Sequence, residues 1–316
     1  MPDPLRVAVI GASGIGRHHA NWHDSVGSQV VAFVGTTPER CHETTKLLEQ
    51  TFGYHGKSYT SVDEMLQRER PDIVDICSPN STHYPAALRA LDAGCHVLCE
   101  KPLVWDDHLS AGQMIDQAMQ LQRLAERSGQ HLGMCSQLAA LLPQYDQMLP
   151  GAETPRHFQA IMEISGSARP NGREIWVDMG PHPISLVIAR YPSARLDPAT
   201  IQVDFGEHEA KVAFDIIAEG DRCVCEIVVR DLPGPPLRRF FGFDHQCVNL
   251  SGKPGEDGYY RAVLAGAGGE RVGPDPMHLL IQQFTRVVAG DEQEPLVTAE
   301  TALQNLRIQL EVAGHH

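Results

Sequence analysis

Six residues near the start of the chain, Gly11-Ala12-Ser13-Gly14-Ile15-Gly16, have the types and the spacing to hold a phosphate. A glycine at a strand end lets the chain turn tightly, and another lets the backbone approach a pyrophosphate with no Cβ in the way. The spacing is G-x-x-G-x-G, a variant of the dinucleotide fingerprint. Ahead of it, Val7, Ala8, Val9 and Ile10 form the apolar run expected of a buried parallel strand. Behind it, residues 17–25 read as a helix whose N-terminus aims free N–H groups and a positive dipole end at the phosphates. Glycines alone make only a turn, but strand, glycines and helix in this order are the context that the motif demands. Gly11, Ser13, Gly14, Ile15 and Gly16 are therefore candidate cofactor contacts.

The end of the second strand, residues 29–34 (QVVAFV), bears on which dinucleotide is held. An Asp or Glu there accepts hydrogen bonds from both adenosine ribose hydroxyls and selects NAD. Gly35, Thr36, Thr37, Pro38, Glu39 and Arg40 follow this strand instead. Small hydroxyls and a nearby guanidinium suit a 2′-phosphate better. Thr36, Thr37 and Arg40 therefore point to NADP over NAD. The alternatives are that Glu39 supplies the acidic contact, or that both cofactors are accepted.

These groups must be held by a scaffold, and strands and helices alternate through the first 135 residues. Residues 38–50 read as a helix with Pro in its first turn, and residues 61–68 as a helix opened by a Ser61/Glu64 capping box. Residues 72–77 (DIVDIC), 95–99 (CHVLC) and 131–135 read as strands, with helices over 81–93 and 106–128 between them. Such alternation means a doubly wound parallel sheet with right-handed crossovers. From residue 156 the pattern changes to closely spaced strand-like runs (HFQAIMEI, TIQVDF, AKVAFDIIA, RCVCEIVVR, RRFFGF, QCVNLS), which read as a mostly antiparallel sheet. One helix interrupts it near residues 184–191, and two more, 276–289 and 299–313, close the chain. The fold class is α/β, with a first domain over residues 1–130 and a second over 131–316.

Composition narrows the partners. Of the 316 residues, 42% are hydrophobic and 21% charged, as in an ordinary globular chain. The net charge of −14 speaks against broad binding to nucleic acid or anionic lipid, which needs basic surface. No apolar run approaches the ~20 residues that span a bilayer. The opening residues, MPDPLRVAVIG, enter a strand with no basic segment and apolar core ahead of it, so no signal peptide is expected and a cytoplasmic location is. The eight cysteines are scattered without a C-x-x-C pair, and read as reduced core residues; no metal site is expected. His18 and His19, which follow the glycines, read as helix-surface or packing residues. His315 and His316 read as the stub of a purification tag and are left out of the argument.

Three further stretches belong with the glycines: ICSPNSTH (76–83), CEKPL (99–103) and WVDMGPH (176–182). Together the four resemble the glucose–fructose oxidoreductase/inositol dehydrogenase (Gfo/Idh/MocA) family of NAD(P)-dependent oxidoreductases. The closing stretch, PMHLLIQQFTRVVAGDEQEPLVTAETALQNLRIQLEVA, is similar to that family's last pair of helices. The resemblance implies an N-terminal Rossmann domain and a C-terminal α/β domain whose open sheet supports substrate and oligomer contacts. It implies hydride transfer at a carbon bearing a hydroxyl or carbonyl, on a sugar, polyol or related small molecule. It assigns Lys101, Asp178 and His182 as the catalytic residues. It places Ser78, Pro79, Asn80 and His83 in the loop near the nicotinamide and its ribose, with Glu100 and Lys101 beside them. It also implies a homo-oligomer, dimer or tetramer, through the C-terminal sheet.

Physical chemistry supports those roles. Lys101 follows the carboxyl end of a strand, the side on which open α/β sheets bind ligands. An ammonium beside a reacting oxygen stabilises alkoxide charge and can shuttle a proton. His182, with a reference pKa near ~6.5, can take the hydroxyl proton as hydride leaves. Asp178 would orient that imidazole or help to position substrate. Pro181 and Pro183 indicate a helix that begins near residue 181, with Asp178 just before it. The bland alternatives are a surface lysine and an aspartate that only caps this helix. Lys101, Asp178 and His182 are expected to converge in the cleft between the domains. Family members acting on polyols often carry a glycine-rich segment before the aspartate and an acid three residues after the histidine. Here Glu174-Ile175-Trp176-Val177 and Ser185 stand in those places, and residues 137–143 (QLAALLP) lack an Arg, so a less polar pocket is expected. A non-catalytic dinucleotide sensor, or a reductase of an imine or conjugated double bond, are the competing readings.

Overall fold

The structure, a computed structural model, describes residues 3–151, 154–166, 169, 171–218, 220–256 and 259–314. His315 and His316 lie outside them. The chain divides into two compact units, Met1–Ser136 with Met277–Leu303, and Gln137–Pro276 with Gln304–His316. The first unit thus also takes up residues 277–303, which the sequence reading assigned to the second domain.

In the first unit, strands and helices alternate as β1 (Arg6–Ile10), α1 (Ile15–Ser25), β2 (Gln29–Val34), α2 (Pro38–Phe52), β3 (Lys57–Tyr59), α3 (Val62–Glu69), β4 (Ile73–Ile76), α4 (His83–Asp92), β5 (His96–Glu100), α5 (Ala111–Ser128) and β6 (Leu132–Cys135). The sheet order is β3-β2-β1-β4-β5-β6, all parallel, the order of a dinucleotide-binding fold. The apolar runs of β1 and β4 are buried because helices cover both faces of such a sheet. Local signals fix the helix ends. Thr37 caps α2 by accepting the Arg40 N–H at 3.2 Å, with Pro38 at the first helical position. Ser61 accepts the Glu64 N–H at 3.3 Å, which is one half of the expected capping box. The full box forms at Ser110 and Gln113, so α5 begins at Ala111 rather than at residue 106.

The second unit continues with α6 (Leu142–Met148), β7 (His157–Ser165), α7 (Gly172–Met179), α8 (Pro181–Arg190), β8 (Arg195–Phe205), β9 (Glu209–Ala218), β10 (Asp221–Leu232), β11 (Arg239–Phe243), β12 (Gln246–Pro254), β13 (Tyr260–Gly266) and β14 (Gly269–Pro274). Its eight strands run in the order β14-β13-β12-β11-β7-β10-β9-β8, antiparallel except for β7 beside β10. Alternate residues of β10 are buried, so one face of the sheet carries the core and the other does not. The α9 helix (Pro276–Val288) and α10 (Ala299–Gly314) close the chain. No helix among the described residues is long and apolar enough to cross a membrane.

Candidate active site

In the first unit, candidate residues gather at the carboxyl ends of β1, β4 and β5. Gly11 leaves β1 at φ +88°, and a Cβ there would stand 2.9 Å from the backbone of Cys77 and Ser78. Only glycine both takes that angle and fits against the neighbouring strand end. A Cβ on Gly16 would meet the Gly11 carbonyl oxygen, so the helix starts hard against the turn. Gly14 differs: a Cβ would meet nothing within 4 Å. It heads α1, with no side-chain hydrogen bond capping it among the described residues and no acid in the first turn. Ser13, Gly14 and Ile15 are exposed around it. An open helix N-terminus bordered by small residues fits a pyrophosphate. The first unit therefore fits a dinucleotide.

The loop after β4 is joined to this turn and to the residues after β5. Ser78, Pro79 and Asn80 form it, with a single 3-10 turn over Asn80–Thr82. His83 opens α4 and is buried, with Nδ1 2.8 Å from the Pro102 carbonyl and Nε2 2.8 Å from the Ser78 carbonyl. Burial pushes its pKa down. His83 thus ties the Ser78 loop to the segment that carries Lys101. Lys101 itself is half-buried, and its backbone N–H donates to Glu100 Oε2 at 3.1 Å.

Of the two readings of His19, surface or packing, the structure bears out packing, but with charged partners that the sequence did not indicate. His19 is fully buried and bonds the carboxylates of Asp75 and Glu100. His18 is exposed, as expected, within 3.4 Å of the Arg17 guanidinium.

At the end of β2, a Cβ on Gly35 would stand 2.8 Å from Cys41 Sγ, so a larger residue there would have to displace that thiol. Thr36 and Thr37 are exposed beyond it. The Arg40 side chain is 74% exposed and lies 3.3 Å from Glu43, an ion pair too solvated to hold it in place.

In the second unit, Asp178 and His182 flank a helix corner. Asp178 lies just before α8, which begins at Pro181 as the two prolines indicated. Asp178 also sits in the last turn of α7, an element that the sequence reading missed, and Gly180 rather than Asp178 heads α8. Asp178 is paired with Arg169 at 2.5 Å. His182 is in the first turn of α8 and lines a pocket of about 120 Å³ with Met162, Met179, Arg239, Tyr260 and Asp275. The Tyr260 ring lies across Gly252, where any side chain would collide with it. Two buried amides of α10 lock this corner. Asn305 Nδ2 donates to the Pro181 carbonyl at 2.8 Å and to Ser185 Oγ at 2.9 Å, and Gln309 Nε2 donates to the Val177 carbonyl at 2.6 Å. Their burial inside an apolar helix pattern was the only sign of them in the sequence.

Comparison with known proteins bears on the first unit by sequence and on the whole chain by fold. Residues 5–135 match the sequence model of the GFO_IDH_MocA family, an oxidoreductase family with an NAD-binding Rossmann fold. D-glucoside 3-dehydrogenase of Escherichia coli (strain K12) is 36% identical over 120 residues, 38% of this chain and 33% of that protein. Inositol 2-dehydrogenase of Streptomyces avermitilis is 36% identical over 116 residues, 36% of this chain and 32% of that protein. The matched stretch therefore spans about a third of the length of these relatives. Over the whole fold, UDP-N-acetylglucosamine 3-dehydrogenase from Acidithiobacillus ferrooxidans superposes with a TM-score of 0.71 at 19% identity, covering 98% of this chain and 97% of that one. A 3-ketoreductase from Actinomadura kijaniata, solved with NADP and TDP-benzene, gives 0.70 at 18% identity, covering 97% and 96%.

Proposed function

We propose, on the premise that residues 5–135 belong to the GFO_IDH_MocA family of oxidoreductases, that this chain is an NAD(P)-dependent oxidoreductase acting on an alcohol or ketone carbon of a sugar, polyol or related small molecule. One observation carries the reading. The open glycine turn and Lys101 are brought to one edge of one parallel sheet, joined through Ser78, His83 and Pro102. The names of the relatives add the substrate class, since one acts on a glucoside and another on an inositol.

Gly11, Ser13, Gly14, Ile15 and Gly16 would hold the dinucleotide pyrophosphate, with Ser78, Pro79 and Asn80 beside the nicotinamide ribose. The cofactor supplies the acceptor for the hydride that leaves the substrate carbon. The chain's own residues handle the proton and the charge. His182 takes the proton from the reacting hydroxyl oxygen as the C–H bond breaks, and the Lys101 ammonium stabilises the negative charge on that oxygen until the carbonyl forms. Asp178 orients His182 or positions substrate. The flat Tyr260 ring and the methionines beside His182 suit the less polar face of a sugar ring, while Arg239 and Asp275 suit its hydroxyls or charged substituents.

NADP is the favoured cofactor. The glycine in place of an acid at position 35, with Thr36, Thr37 and the solvent-exposed Arg40 beyond it, supports this choice. The protein works in the cytoplasm, a reading supported by its eight free cysteines. It assembles as a homo-oligomer through the outer face of the eight-stranded sheet, where Ile217 and Val224 are exposed.

The test is to titrate NADPH and NADH by nicotinamide fluorescence, then to follow absorbance at ~340 nm with a panel of inositols, methyl glucosides and sugar nucleotides. Tighter NADPH binding, selectively weakened by Arg40→Ala, and turnover of a panel member are expected. Cofactor binding with no turnover of any member would favour a sensor instead.

A further inference from the structure

The α1 helix turns His19 inward, under the carboxyl edge of the parallel sheet. Its Nδ1 is 2.9 Å from Asp75 Oδ2 on β4, and its Nε2 is 3.0 Å from Glu100 Oε1 at the end of β5. All three side chains are buried. A neutral imidazole has one N–H to donate, so two carboxylate oxygens facing both nitrogens are satisfied together when the ring carries both protons. His23, one turn along the same helix, donates from Nε2 to the same Asp75 oxygen at 2.9 Å. The other groups that face His19 are sulfurs. Cys135 Sγ of β6 lies 3.8 Å from His19 Nε2, and Cys77 Sγ, after β4, lies 3.5 Å from Asp75 Oδ1. Burial pushes both thiols up, Cys135 to about 12, so they stay neutral. A doubly protonated ring has no lone pair for a metal ion.

The network does not stop at Glu100. While Oε1 faces His19, Oε2 accepts the backbone N–H of Lys101. On the other side of Lys101, the Pro102 carbonyl is held by His83. Each flank of the Lys101 backbone is therefore tied to a buried imidazole. Stability alone is a poor reason for such an arrangement, because apolar residues of similar volume often serve a core as well as a buried ion pair does.

We propose that His19 is a positioning residue for Lys101: clamped between Asp75 and Glu100, it fixes the carboxylate that holds the Lys101 backbone, and so sets where the Lys101 ammonium stands. The proposal rests on the reading of Lys101 as a catalytic residue. Two measurements keep the two readings apart. Hydrogen exchange needs no substrate. In His19→Gln the Lys101 amide should exchange about ten-fold faster or more, while amides within β1 and β4 keep their protection. Uniform acceleration across the sheet, or no change at Lys101, overturns the proposal. The second measurement is a double-mutant cycle on the best-used member of the panel. His19→Gln should lower kcat about ten-fold with KM nearly constant, and should cost nothing further once Lys101→Ala is present. An equal loss in both backgrounds makes His19 merely structural and overturns the proposal. If Lys101→Ala itself turns over normally, the catalytic reading of Lys101 fails, and the exchange result still decides whether His19 holds that backbone. Asp75→Asn, nearly isosteric, serves if His19→Gln does not fold. Failure of both to fold assigns the network to stability and overturns the proposal.

Discussion

At the scale of single residues, the two glycines that open the cofactor turn do different work, and substitution separates them. Gly14→Val places a branched side chain in open space, at negative φ. It should leave the melting temperature near that of the parent and abolish NADPH binding, read by fluorescence titration and thermal unfolding of one sample. Gly11→Ala meets the backbone of Cys77 and Ser78 at positive φ, so it should lower stability by about 1–3 kcal/mol as well as weaken binding. A Gly14→Val protein that still binds cofactor would move the phosphate site elsewhere. These glycines were legible in the sequence because the strand before them and the helix after them are contiguous with them, although the close contact of Gly11 with Cys77 and Ser78 was not. His19 was not. Its carboxylate partners stand 56 and 81 residues away along the chain, and no local pattern brings them to it. Seen alone beside His18, it looks like any histidine on a helix.

At the scale of elements, the buried network gives α1 a pH-dependent hold on β4 and β5. Burial favours a neutral ring at His19, but the Asp75 charge and hydrogen bond outweigh it and keep the imidazole well above its usual range. The same pairing holds Asp75 well below the usual carboxylate range despite its burial. A raised histidine binds its proton in the folded state after the unfolded chain has lost it. Its contribution to stability is therefore complete below pH ~6.5 and is lost as pH rises through the folded value. His83, His96 and His131, depressed by burial, work the other way and add stability as pH rises toward ~6.5. Melting temperatures from pH 6 to 9 should therefore fall in the parent and fall less in His19→Gln; parallel curves would show that His19 is not charged in the fold. In the second unit, Asn305→Ala would strip the Pro181 carbonyl and Ser185 Oγ of a buried donor beside His182, at a cost of about 1–3 kcal/mol in urea unfolding. The elements missed in the sequence have local causes. The β3 strand has three residues, β13 and β14 run through a glycine-rich stretch that reads as turns, and α7 is a single short helix closed by Gly180. Pro181 and Pro183 marked the start of α8 and drew attention from the helix that ends just before it.

At the scale of the molecule, the alternation of strands and helices made the first sheet legible as parallel and doubly wound, and closely spaced strands made the second legible as mostly antiparallel; the strand order and the parallel pairing of β7 with β10 were not legible. The allotment of residues 277–303 to the first unit was not legible, because it depends on packing between segments far apart in sequence. The outer face of the second sheet gives a prediction of assembly. Light scattering at micromolar concentration should return a multiple of 34.7 kDa, and Val224→Asp should shift it toward that value; a monomeric parent would contradict the oligomer. The central claim is that a bound nicotinamide cofactor and two residues of this chain, Lys101 and His182, carry out one oxidation. It is tested most directly by steady-state turnover of the best panel substrate in the parent, Lys101→Ala and His182→Ala, with cofactor affinity measured on the same proteins. Each substitution should lower kcat about 10²–10⁴-fold while NADPH binds almost as before. Parent-like turnover in either variant, or loss of cofactor binding in parallel with turnover, would contradict the account.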